Sequence, residues 1–163
     1  FVVCDEPVSA LDVSIQAQII NLLRELQEKY NLTYLFISHD LSVVEYMSDH
    51  IAVLYLGEVI EYSTAEEIYQ NPRHPYTQEL LRSIPQISGN ARLCTANKEP
   101  PIELPSPIHP PAGCRYHPRC PYRTENCSKQ EPKAVSVGED HIVKCHRCAA
   151  QIQTSQTMEG SIA

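Results

Sequence analysis

Two adjacent carboxylates, Asp5 and Glu6, follow the apolar run Phe1-Val2-Val3-Cys4 and precede Pro7. That run reads as a buried strand of a parallel sheet, whose two covered faces leave no alternation in the sequence. Ligands of open α/β sheets sit beyond the carboxyl ends of the strands, which is where this acid pair falls. Pro7 cannot donate to a ladder and stops the strand there. Two carboxylates in that position suit a metal-bound phosphate, one holding Mg²⁺ through hard oxygens and the other polarising a water. A solvated acidic turn is the competing reading. A second apolar segment, Leu32 to Ser38, ends in Ser38-His39-Asp40 and brings His39 to the same edge. Far downstream, Cys114-x5-Cys120-x6-Cys127-x17-Cys145 supplies four thiols, with Cys148 just beyond.

The elements that must position these groups follow from periodicity. Asp12 or Ser14 can cap a helix whose apolar residues Ile15, Ile19, Leu22, Leu23 and Leu26 recur at three and four, ending near Tyr30-Asn31. With the two strands it makes a βαβ unit of right-handed crossover. Leu41 to Asp49 is a short amphipathic helix. Ile51 to Tyr62 reads as two strands turning at Leu56-Gly57-Glu58. Thr64 and Glu67 form a capping box for a helix from Ala65 to Gln70. Asn71 to Pro85 is a proline-bracketed turn followed by a short helix.

Composition narrows the class. The 163 residues carry a formal charge of −7, with 42 % hydrophobic residues. No long basic stripe argues for nucleic acid. No apolar run approaches the ~20 residues that cross a bilayer. Ten of the thirteen prolines and six of the seven cysteines lie from Pro85 to Cys148, so this part should be loop-rich and held by something other than a large core. Among those cysteines, Cys94 reads as a spare thiol. A polar tail from Gln151 to Ala163 is expected to fray.

Cys4-Asp5-Glu6-Pro7 resembles the Walker B segment of ABC-type ATPases, with the catalytic glutamate beside the aspartate. Ser9-Ala10-Leu11-Asp12 is similar to the D-loop that follows it, and Ser38-His39-Asp40 stands at the switch-histidine position. Any one of these is weak; the order and spacing of all three are specific. The resemblance implies that Asp5 orders Mg²⁺ through a bound water and that Glu6 orients or deprotonates the attacking water. It implies that His39 donates to the γ-phosphate and holds Glu6, and that Asp12 faces a partner subunit across a nucleotide sandwich. Positioning and electrostatics dominate such phosphoryl transfer. Neither a Gly-x-x-x-x-Gly-Lys-Ser/Thr loop nor a Leu-Ser-Gly-Gly-Gln signature occurs. The residues are therefore expected to be a fragment that does not hydrolyse ATP alone.

His74-Pro75-Tyr76-Thr77, with Leu80-Leu81 and Ile84-Pro85, resembles the C-terminal region of oligopeptide and dipeptide importer ATPases. Pro105-Ser106-Pro107-Ile108-His109-Pro110-Pro111 looks closest to the second of the two ATPases in such systems. In that family Cys114, Cys120, Cys127 and Cys145 would hold a [4Fe–4S] cluster. By chemistry alone three readings stay open: disulfides, which a thiol-reducing compartment disfavours, a zinc site, of which only Cys145-x2-Cys148 has the usual tight spacing, and an iron–sulfur cluster on four thiolates. Cys148 departs from the family motif and keeps zinc in play. His117, His141 and His146 read as surface histidines.

The expected fold is thus α/β, the C-terminal portion of a P-loop ATPase of ABC type with a parallel βαβ core. Residues 1–62 would be the ATPase part, 63–148 the transporter C-terminal region with its cysteines, and 149–163 a tail. The implied function is ATP-driven uptake of small peptides, with ATP and Mg²⁺ as cofactors. The implied partners are a second ATPase subunit, membrane permeases and, indirectly, an extracellular peptide-binding protein, with no nucleic acid. The implied location is peripheral, on the cytoplasmic face of the cell membrane. A nickel or other small-solute importer, a non-transport ABC ATPase and a free-standing metal-binding module are the alternatives.

Overall fold

A computed structural model describes residues 1–84 and 106–159, the last seven as backbone only. Pro85, Cys94, Pro105 and residues 160–163 lie outside the described residues. The chain divides into two compact units, Phe1–Ile51 and Ala52–Ala163.

The first unit holds β1 (Val2–Asp5), α1 (Val13–Tyr30), β2 (Tyr34–Ile37) and α2 (Leu41–Met47). β1 and β2 pair in parallel, Val3 opposite Leu35 and Asp5 opposite Ile37. Asp12 caps α1: its carboxyl oxygen accepts from the backbone N–H groups of Ser14 and Ile15, each at 3.1 Å. Asn31 ends the helix in the left-handed region (φ 50°, ψ 50°), which asparagine tolerates better than most residues. Asp40 caps α2 in the same way, accepting from Ser42 N at 2.9 Å and Val43 N at 3.4 Å. Val8, Ile20 and Met47 form the buried centre, with Tyr34, Phe36 and Val43 against it. The sheet was expected to be covered on both faces. Within this unit α1 and α2 pack on one face, and Val3, Leu35 and Ile37 on the other are 56 %, 50 % and 46 % exposed among the described residues.

The second unit is built on a four-stranded sheet ordered β3-β4-β6-β5, from β3 (His50–Tyr55), β4 (Glu58–Thr64), β5 (Ala134–Gly138) and β6 (His141–Lys144). The division between units falls within β3. Leu56 (φ 48°) and Gly57 (φ 76°) turn β3 into β4 with two left-handed residues, the pattern whose twist matches a hairpin. Thr64 Oγ1 accepts from Glu67 N at 3.3 Å and starts α3 (Ala65–Gln70); α4 (Pro75–Arg82) follows with His74 as its cap. After the cysteine-bearing loops come α5 (Glu125–Lys129), β5, β6 and α6 (His146–Glu159), whose backbone runs helically through most of the segment expected to be a tail. β6 pairs antiparallel with β4, Glu61 opposite Val143, so the cysteine region adds strands to the hairpin's own sheet. No helix of the described residues is long and apolar enough to cross a membrane.

Candidate functional site

In the first unit, the sequence places its chemistry at the carboxyl ends of two parallel strands. Asp5 closes β1, and Glu6 N donates to Ile37 O at 2.9 Å, continuing the ladder one residue past it. Glu6 then takes φ 45°, unusual for a residue with a side chain, while its carbonyl accepts from Ser9 N at 3.3 Å and Ser9 Oγ at 3.1 Å. The turn aims the Glu6 carboxyl at the next strand end. Glu6 Oε1 lies 3.0 Å from His39 Nδ1, a hydrogen bond bridging residues 33 positions apart. Both side chains are open to water, 47 % and 72 % exposed, so the contact adds little stability and leaves both groups available to a ligand. Asp5 is exposed at the same strand end. Asp12 is exposed too, but one oxygen is committed to the start of α1.

The second unit carries a different constellation. Cys114, Cys120, Cys127 and Cys145 line one cavity of about 490 Å³, together with His74, Tyr116 and His117 among others. Backbone bonds shape its wall: Cys114 N donates to Cys127 O at 2.8 Å and Cys120 N to Tyr116 O at 3.1 Å. Gly113 (φ 71°) permits the first of these, because a Cβ there would run into the backbone of Cys127 and Ser128. Burial pushes the Cys114 thiol up to about 11, and negative charge on the other three thiols would push the same way. Cys120 is raised by burial as well. Cys145 goes the other way, because the Cys148 side chain hydrogen-bonds to it and favours its thiolate, while Cys148 is held as a thiol. Among the described residues no group of three or more His, Cys, Asp or Glu side chains is gathered so as to hold a metal ion.

Behind the cavity lies a polar network that sequence reading missed. Glu61, 1 % exposed, accepts from Arg73 N at 2.6 Å and His74 N at 3.0 Å, and bonds to His141 Nε2 at 2.8 Å. His141, expected at the surface, is 2 % exposed. His74 Nδ1 accepts from Tyr76 N at 3.1 Å, and burial lowers the imidazole to about 4 against the opposing pull of Glu61 and Glu58. Tyr55, Tyr76 and Tyr116 pack with centroids 4.7 to 5.5 Å apart, and the Tyr116 hydroxyl donates to Glu79. The signal available was Glu61 beside the apolar Val59-Ile60 in β4, a carboxylate that demands partners when it is buried.

Residues 60–127 match the family described as "Oligopeptide/dipeptide transporter, C-terminal region". The chain is 52 % identical over 145 residues to the oligopeptide transport ATP-binding protein AppF of Bacillus subtilis, covering 89 % of this chain and 44 % of that protein. It is 49 % identical over 144 residues to the dipeptide transport ATP-binding protein DppF of Haemophilus influenzae, covering 88 % and 43 %. The oligopeptide transport ATP-binding protein OppF of the same organism is 44 % identical, with the same coverage. The chain spans less than half the length of these curated relatives. Over nearly nine-tenths of its length the sequence is thus similar to ATP-binding proteins of oligopeptide and dipeptide transport, and residues 60–127 match the C-terminal region of that transporter family.

Proposed function

We propose that this chain is part of the ATP-binding subunit of an ABC importer for oligopeptides or dipeptides, and that Asp5, Glu6 and His39 act on the nucleotide's phosphate end. The observation that carries the reading is the 3.0 Å contact between Glu6 and His39 across the rim of two parallel strands. An exposed carboxylate held by an imidazole is placed to orient a water for in-line attack. Asp5, one residue earlier, offers hard oxygens for Mg²⁺. Asp12 caps α1 and offers its free oxygen to a partner subunit. Bound ATP and Mg²⁺ would supply the phosphoryl group and neutralise its charge; the chain's own residues position water and proton. Permease subunits and a second ATP-binding subunit are the partners this reading requires, and it places the protein on the cytoplasmic face of the membrane. The test is Glu6→Gln in the complete subunit. ATP turnover should fall by at least a hundredfold while nucleotide binding persists, as expected on removing a positioned general base. Unchanged turnover rejects Glu6 in that role.

For the cysteine cavity, a [4Fe–4S] cluster fits the donor set better than zinc. A single zinc draws four donors to within about 2.3 Å of one point, whereas a cluster presents separate irons to thiolates spread around it. Four thiols line one cavity of this unit, the number of thiolates such a cluster takes. Cys114, Cys120, Cys127 and Cys145 would hold it. It would serve as a staple, joining the loop-rich 114–127 segment to the end of β6. Anaerobic purification should give about four irons per chain, the stoichiometry of such a cluster, with visible charge-transfer absorption. Cys120→Ser should lose both. Zinc without iron, or metal content untouched by Cys120→Ser, rejects the assignment.

A further inference from the structure

Cys148 is the one described cysteine of the second unit that does not line the cavity. Four thiols already surround that space, so a tetrathiolate group leaves Cys148 without a task. Its place in the fold suggests one. Ala149 N donates to Cys145 O at 3.1 Å, so Cys145 already belongs to the first turn of α6, and Cys145 and Cys148 share one face of that turn. Both are buried, and the Cys148 sulfur also lies 3.7 Å from the Arg73 carbonyl oxygen, which keeps it turned inward. Residues one helical turn apart fall within the Cα window that a disulfide accepts.

We propose that Cys145 and Cys148 form a redox pair that closes to a disulfide when a hydroperoxide enters the cavity. Cys145 faces the cavity, and a space of about 490 Å³ easily admits a molecule little larger than water, whose share of the liquid is about 30 Å³. The Cys145 sulfur takes one oxygen from the peroxide, giving a sulfenic acid and water or an alcohol. The Cys148 thiol then attacks that sulfur; the S–S bond forms, the S–O bond breaks, and the hydroxyl leaves with the thiol proton as water. The two electrons come from the thiol pair and reduce the O–O bond. Helical neighbours hold their Cβ atoms about 5–6 Å apart, wider than the ~3.8 Å of a relaxed disulfide, so the turn tightens on closure and the bond is readily reduced again. Closure withdraws Cys145 from the cavity; the consequence for a cluster rests on the reading proposed above.

Trypsin provides a direct test, because it cuts after Lys144 and Arg147 and so separates the two cysteines. The purified chain, as isolated and with its free thiols reduced, is treated with an equimolar amount of hydrogen peroxide. Remaining thiols are alkylated and the protein is digested. The expected principal product is Cys145–Arg147 joined to the peptide that begins at Cys148, split by reductant. In Cys148→Ser the cross-link should vanish and Cys145 should be recovered as a dimedone-trapped sulfenic acid. Recovery of both cysteines alkylated, or of Cys145 joined to Cys114, Cys120 or Cys127, overturns the pair. Iron reconstitution separates the two readings. A cross-linked chain that still takes up its full iron upholds the pair and removes Cys145 from the cluster ligands; a chain without the cross-link overturns the pair whatever its iron content.

Discussion

Glu6 and Glu61 are each bonded to a histidine, and they use the same chemistry to opposite ends. Glu6 stands in water beside His39, with lone pairs left over and nothing fixed around it but its own turn. Glu61 is enclosed, and its oxygens are spent on two backbone N–H groups and His141. A carboxyl whose acceptor sites are filled by protein cannot take up a ligand without breaking the fold, whereas one facing solvent exchanges water for ligand at small cost. Available valence therefore separates the two roles, not residue type or the presence of a histidine.

The sharpest way to break that comparison is to remove Glu61. Glu61→Ala should cost about 3–5 kcal/mol, because it strands the buried His74 N–H and His141 ring together with the half-buried Arg73 N–H. Urea unfolding monitored on the second unit's tyrosines checks this. A cost under about 1 kcal/mol, the size of a lost surface pair, would mean that water reaches the site and that Glu61 resembles Glu6 after all.

The pH dependence of stability offers a second, somewhat smaller effect. Burial lowers His74 from 6.5 to about 4, so the folded chain keeps it neutral while the unfolded chain takes up a proton. Its contribution is fully present above pH 6.5 and is lost as pH falls towards 4, by an amount on the order of 3 kcal/mol. His74→Asn keeps an oxygen that can cap α4 but does not titrate. The variant should show a flatter stability profile between pH 6.5 and 4 than the parent. Parallel profiles would place the titration elsewhere.

What was legible in the sequence divides along the same line. Asp12, Asn31, Thr64 with Glu67, and Leu56-Gly57 act on their immediate neighbours, and the elements they bound lie close to where periodicity put them. The rim also follows from short-range rules, since two strand ends of one βαβ unit must lie side by side. β5 and β6 were not anticipated in a stretch dominated by prolines and cysteines. β6 pairs with β4 across some 80 residues, Glu61 opposite Val143, and no local signal encodes such a register. His141 passed for a surface histidine for the same reason, its partner lying 80 positions earlier. The exposed face of β1 and β2 lies opposite the side on which α1 and α2 pack.

Asp12 lies between the two cases, and the smallest of these effects sharpens the comparison most finely. One of its oxygens caps α1, as Glu61's oxygens anchor the turn into α4; the residue is nonetheless exposed, as Glu6 is. Asp12→Ala should destabilise the first unit by about 1 kcal/mol, the usual worth of an N-cap, and Asp12→Asn should recover nearly all of it because asparagine caps equally well. Stability alone thus treats the charge as dispensable. If the complete subunit carrying Asp12→Asn keeps its fold but loses ATP-dependent dimerisation, the charge serves the partner and the cap is a second use of the same side chain. If dimerisation survives, Asp12 acts only on its own helix, and the partner-facing role fails for this residue while Glu6 and His39 are untouched by the result.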